Sequence, residues 1–92
     1  MSVPVLLQTG PETYRVSLPD GRVLTATLAH HTRRGLELPM VPPLTVATEM
    51  VGFLLERDAI PAEAVPDGAP LDLGPAVLRY PEAVEELRAR LT

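Results

Sequence analysis

Residues Tyr14 to Leu28, Tyr-Arg-Val-Ser-Leu-Pro-Asp-Gly-Arg-Val-Leu-Thr-Ala-Thr-Leu, constrain this chain more than any other stretch, because they encode a β-hairpin together with its turn and its register. Pro19 presets φ for the second position of a tight turn, and Asp20 can bond its own backbone. Gly21 takes the left-handed conformation that closes a three-residue loop. Pairing then starts at Leu18 with Arg22. Counting outward, Val16 faces Leu24 and Tyr14 faces Ala26, while Ser17 meets Val23, Arg15 meets Thr25 and Thr13 meets Thr27. One face is apolar (Tyr14, Val16, Leu18, Leu24, Ala26, Leu28) and the other is mostly hydroxyl and guanidinium. A slip of one residue would exchange the two faces, so burial of the apolar side specifies the register.

The rest of the chain is read against that hairpin. Ninety-two residues suffice for one core, so residues 1–92 are expected to form a single domain. With 46% hydrophobic residues but one Phe, two Tyr and no Trp, the core must be built from Leu, Val and Ala. Such a core has few large anchors, and burial by homodimerisation would supplement it. The formal charge of −4 disfavours a nucleic-acid backbone as partner, since that affinity comes from clustered cations. There is no Cys, which removes disulfides, thiolate metal sites and a cysteine nucleophile. Neither a secretory leader nor a membrane-length apolar run is apparent, and a cytoplasmic protein is expected. All eight basic residues are Arg, and neither Lys nor Asn occurs. Coding bias accounts for this better than thermophily, which usually enriches Lys.

Val3 to Gln8 reads as a first strand that turns through Thr9-Gly10-Pro11, with Pro4 favouring a sheet edge or a strand start. Leu36, Leu38 and Met40 alternate with Glu37 and Pro39 like a further edge strand, stopped by Pro42-Pro43. From Leu44 the apolar period becomes helical through Ala47, Met50 or Val51, Leu54 and Leu55, predicting a helix over Leu44 to Asp58 that closes before Ile60-Pro61. A strand over Leu44 to Ala47 is the competing reading. Gly52 weakens that helix unless a close neighbour needs the space. Pro61 to Pro70 is linker-like, and Ala76 to Arg79 is expected as a short strand. Tyr80-Pro81 introduces a last helix with Tyr80, Val84, Leu87 and Leu91 on one face and Glu86 paired with Arg90 and Glu85 with Arg88 on the other.

Titratable and cationic groups concentrate at His30-His31-Thr32-Arg33-Arg34-Gly35, where a loop is expected to leave the sheet. His30, His31, Arg33 and Arg34, joined by Arg15, are the candidate site for an anion or a protein partner, since guanidinium forks bind phosphate and carboxylate bidentately. The competing reading is a solvated cationic turn. Neighbouring imidazoles in extended chain point to opposite faces, so no metal site is expected, and no cofactor motif is present. The carboxylates are scattered, and Ser2 and Ser17 lack a nucleophile setting. Catalysis is therefore not the expected role.

The string Tyr14-Arg15-Val16-x-Leu18-x-Asp20-Gly21, followed by Leu24-x-Ala26 and the His31 to Arg34 cluster, resembles the second and third strands of the OB-type barrel of bacterial translation initiation factor 1 and its S1-like relatives. The resemblance covers about a third of the chain and rests on hairpin grammar. It implies an OB-like small barrel with an appended helix, binding nucleic acid or phosphate through Arg15, Arg22, Arg33 and Arg34. The Lys-rich, aromatic-bearing face of that family is missing, no final barrel strand is evident, and the C-terminal half reads as helical.

The residues thus predict an α+β fold: a small antiparallel β-meander of three to four strands, centred on the hairpin and packed against one or two helices of the C-terminal half. The expected role is a non-enzymatic protein-binding or assembly module, its partner another protein or a second copy of itself. The alternative is an OB-like nucleic-acid or phosphate binder.

Overall fold

The computed structural model describes residues 3–36, 40–61 and 68–91. Strand β1 spans Val5–Gln8, β2 Thr13–Ser17 and β3 Val23–Thr27. They form an antiparallel meander in which Val16 lies opposite Leu24, Tyr14 opposite Ala26, Arg15 opposite Thr25, and Ser17 opposite Val23. The turn closes as its residues dictate. Leu18 N–H donates to Arg22 O (2.8 Å), Gly21 N–H donates to Leu18 O (3.0 Å) with Gly21 at φ 93°, and Asp20 Oδ1 accepts Arg22 N–H at 2.9 Å. All six residues of the predicted apolar face are buried.

Helix α1 covers His30–Gly35, where the sequence predicts a loop. Its N-cap Ala29 offers no side-chain cap. The Glu12 carboxylate, reaching over from the β1–β2 turn, accepts His30 N–H at 2.5 Å and so satisfies one of the donors that a helix start leaves open. That cap comes from eighteen residues away, so no local pattern announces it. Leu36 is buried behind the helix and Met40 is exposed, and neither belongs to a strand. Residues 37–39 of the strand expected there lie outside the described residues.

Helix α2, Pro43–Glu56, follows the longer of the two readings, with Pro43 in its first turn and Leu44 to Ala47 inside the helix. Its buried stripe is Val46, Ala47, Met50, Val51, Phe53 and Leu54, while Leu44 at its start is exposed. Asp58 at φ 52° ends the helix in a left-handed cap, with Ala59 N–H donating to Leu54 O at 2.9 Å. Most of the linker-like segment, residues 62–67, lies outside the described residues.

The fourth strand comes from the C-terminal half. Strand β4, Leu71–Asp72, pairs in parallel with β3, Ala26 opposite Leu71 and Thr27 opposite Asp72. The sheet is therefore mixed, in the order β1-β2-β3-β4, and it is not closed into the barrel that the OB resemblance implies. A parallel neighbour needs a crossover, and α1 with α2 supplies it. Helix α3, Leu73–Leu78, occupies the segment predicted as a strand over Ala76 to Arg79. Pro75 sits in its first turn, where a missing N–H costs nothing, and Asp72 holds the extended N-cap conformation.

Helix α4, Ala83–Leu91, buries Ala83 and Leu87 and leaves Val84 exposed, so its inner face is turned by about one residue from the predicted one. An ionic staple joins α2 to α4. Arg57 stacks 3.6 Å from the Phe53 ring centroid and bonds Glu86 at 2.8 Å and Glu82 at 3.4 Å. Arg90 bonds Glu86 at 2.8 Å, as the four-residue spacing predicts, and also reaches Glu56 and Glu49. Burial pushes the Glu86 carboxyl up, but hydrogen bonds and charge from Arg57 and Arg90 outweigh it and hold the group below its ordinary value. Helix α2 packs on β1, α3 and α4, so the helices cover one face of the sheet. The core runs from Tyr14 and Val16 through Met50, Phe53 and Leu54 to Leu73, Val77 and Leu87.

Candidate functional site

The sheet has an inner and an outer face, and strand alternation decides which residues occupy each. Inner-face Tyr14, Val16, Leu24 and Ala26 are at most 1% exposed. The outer face carries Val5 and Leu7 of β1, then Arg15 and Ser17 of β2, then Val23 and Thr25 of β3, in matched rows. Val3, Val5 and Leu7 are 68%, 64% and 65% exposed. Val5 and Leu7 therefore form an aliphatic stripe on the edge strand, with exposed Val3 just before it. No residue from Val3 to Gln8 is charged. Natural edge strands are commonly guarded by Lys, by inward-pointing charge or by Pro, and here Pro4 is the one such device.

The backbone of β1 has a free side as well. Leu18 N–H bonds Arg22 O, so even-numbered residues of β2 turn their peptide groups toward β3 and odd-numbered ones turn theirs toward β1. Val5 and Leu7, opposite Ser17 and Arg15, consequently bond inward, and Thr9 N–H continues the series onto Thr13 O at 2.9 Å. Pro4, Leu6 and Gln8 face outward. The Leu6 and Gln8 N–H groups and the Pro4, Leu6 and Gln8 carbonyls line the open edge.

The cationic cluster lies elsewhere and is partly committed to the fold. Arg33 Nη1 donates to Val41 O at 2.9 Å and Nη2 donates to His30 Nδ1 at 3.1 Å, which makes that ring nitrogen an acceptor. Helix α1 thus brings His30 and Arg33 together beside Glu12. The Tyr14 hydroxyl is buried nearby without a hydrogen-bond partner among the described residues. Burial pushes the Tyr14 phenol up, with Arg33 opposing and Glu12 adding to the shift. Arg34 is exposed at the end of α1. Arg15 sits on the outer face of the sheet, away from this group. Arg22 Nη2 bonds Pro61 O at 2.5 Å. Of the four arginines of the OB-like reading, Arg33 and Arg34 share α1, while Arg15 lies on the outer sheet face and Arg22 is bonded to Pro61.

His31 points the other way, into a cleft of about 410 Å³ between α1, α3 and α4. Thr32, Leu36, Pro75, Leu78 and Val84 line it, and Asp72 stands at its side. Its walls are mainly apolar. Among the described residues no group of three or more His, Asp or Glu could hold a metal ion.

Two features escaped the sequence reading. The outer stripe follows from the alternation of Val3, Val5 and Leu7 once β1 is recognised as an edge strand. Arg57 had Phe53 four residues before it as its local signal, whereas its carboxylate partners Glu82 and Glu86 lie 25 and 29 residues downstream. Comparison with known proteins finds no matching family, no matching curated protein and no matching solved structure.

Proposed function

We propose that this chain is a non-enzymatic protein-binding or assembly module whose contact surface is the outer face and free edge of β1. One observation carries the reading: Val5 and Leu7 on an uncharged edge strand, and Val3 just before it, stand about two-thirds exposed. They expose on the order of 300 Å² of side chain, a size at which apolar patches on small proteins are often functional. Main-chain groups along the edge supply affinity by strand addition, and the alternate side chains supply selectivity. Complete burial of a Val or Leu side chain is worth roughly 1.5–3 kcal/mol, so covering this stripe repays much of the cost of association. The dispersed arginines lend less to the nucleic-acid alternative, whose affinity needs clustered cations. No described helix is long and apolar enough to cross a membrane. The proposal places the module in the cytoplasm, in keeping with its lack of cysteine.

Selection of extended peptides from a random library tests the reading. Binders should slow amide exchange at Leu6 and Gln8 and lose affinity on the Val5→Ser, Leu7→Ser double variant. Binders that protect only the cleft between α1, α3 and α4 would refute it.

A further inference from the structure

We infer that the partner of the β1 edge is a second copy of this chain, joined antiparallel through β1 about a two-fold axis at Leu6. The inference rests on the proposed contact surface and adds the occupant and the register.

The argument is one of self-complementarity. Only Pro4, Leu6 and Gln8 turn their peptide groups outward, and Pro4 has no N–H to offer. An axis at Leu6 lets Leu6 exchange both its N–H and its C=O with the Leu6 of the other copy. It also sets Gln8 opposite Pro4, where Gln8 N–H donates to the Pro4 carbonyl and proline is asked only to accept. An axis at Val5 instead sets Leu6 against Pro4 and forms two main-chain bonds between the outward groups of residues 4–8, where the Leu6 axis forms four and leaves only the Gln8 carbonyls to water. An axis at Leu7 pairs Leu6 with Gln8 and also forms four main-chain bonds, but it places Val5 against Thr9 in place of an aliphatic partner.

Side chains decide between the Leu6 and Leu7 axes. With the axis at Leu6, Val5 of one copy faces Leu7 of the other in a non-hydrogen-bonded pair, the closer of the two antiparallel spacings. The exposed stripes of the two copies then merge on one face of a continuous sheet. No charged residue lies between Val3 and Gln8, so strand meets strand without like-charge repulsion. Arg15 remains a strand away from the junction. Edge pairing covers the strand edges and the facing flanks of Val5 and Leu7, while the merged stripes stay on the outer face, so the contact falls below the standard interface size. That size fits a reversible dimer rather than an obligate one.

The experiment is sedimentation equilibrium of the whole chain over the micromolar range, together with disulfide trapping. The wild type should pass from monomer to dimer with rising concentration, and the balance should respond weakly to salt because the junction holds no ion pair. Val5→Ser with Leu7→Ser should weaken the dimer by at least about tenfold, and Val5→Lys should do the same by restoring an edge charge. Unchanged thermal melts of the monomeric variants keep folding out of the result. Since the chain has no Cys, Val5→Cys mixed with Leu7→Cys should give a cross-linked heterodimer well above either variant alone. A monomer at every concentration, or a dimer indifferent to these substitutions, overturns the inference. Preferred trapping of Val5→Cys with itself, or of Leu7→Cys with itself, overturns the register. If the chain is monomeric while selected peptides still protect Leu6 and Gln8, the second copy is excluded and the assembly reading stands; if neither occurs, both fall.

Discussion

The inner and outer faces of the sheet are made from the same three antiparallel strands, yet they obey different rules. On the inner face Val16, Leu24 and Ala26 are sealed in the core that the helices complete. One residue along in each strand, Ser17, Val23 and Thr25 are half-buried or exposed, and on β1 the outer residues are aliphatic without cover. Apolar character alone therefore does not separate core from surface here, because Val5 and Leu7 are as greasy as Val16 and Leu24. What separates them is which side the helices occupy. An aliphatic residue on the covered side contributes to stability, and one on the open side contributes to association.

Substitutions that compare the faces test this most sharply. Leu24→Ala should cost about 2–5 kcal/mol in a urea melt, since a fully buried side chain leaves a cavity, whereas Leu7→Ala on the outer face should cost well under 1 kcal/mol in the monomer. Equal costs would erase the distinction. The helical cover is fastened at one end by Arg57, so Arg57→Ala should destabilise by about 1–2 kcal/mol, through its ring stacking more than its partly exposed ion pairs. Arg57→Lys should recover only part of that, because an ammonium cannot lie flat on Phe53. Gly52 lies inside α2 with open space where a Cβ would stand, so Gly52→Ala should stabilise by about 1 kcal/mol. Tyr14→Phe should shift stability by less than about 1 kcal/mol, toward greater stability, because the hydroxyl it removes is buried without a partner.

The staple also sets a pH dependence. Glu86 has a folded-state value below its ordinary one, so its contribution is present above the ordinary glutamate range and is lost as pH falls through the depressed value. A melt series toward acid should therefore show a loss that Glu86→Gln flattens. An unchanged acid limb in that variant would show the staple to be energetically idle.

How far the sequence could be read follows from where each interaction reaches. The hairpin was legible down to its pairing because turn and partner lie within a few residues, and period-two burial admits one register. Helix α2 was legible because its stripe repeats over four turns. The segment His30 to Gly35 misled because its helix is capped by Glu12 from another turn, and six residues hold too little periodicity to overcome two histidines and two arginines in a row. The parallel strand at Leu71–Asp72 is two residues long and defined only by Ala26 and Thr27, so no pattern of its own exists to be found. Of the candidate site, His30 and Arg33 lie within hydrogen-bond distance of each other, His31 lines the cleft, and Arg15 belongs to the outer face. The aliphatic stripe of β1 was read as a strand, but its cover could not be known before the helices were placed.

One small vacancy governs how that cleft is shaped. A Cβ at Gly74 would stand 2.8 Å from Thr32 Oγ1, nearer than real Cβ atoms come, and a tight 3.2 Å from its Cγ2. Helix α1 therefore rests against α3 only because position 74 has no side chain, and the buried Thr32 is the tooth that fits the notch. Adding a single carbon there would require Thr32 or the turn that carries it to shift, on the same wall of the cleft that His31 lines.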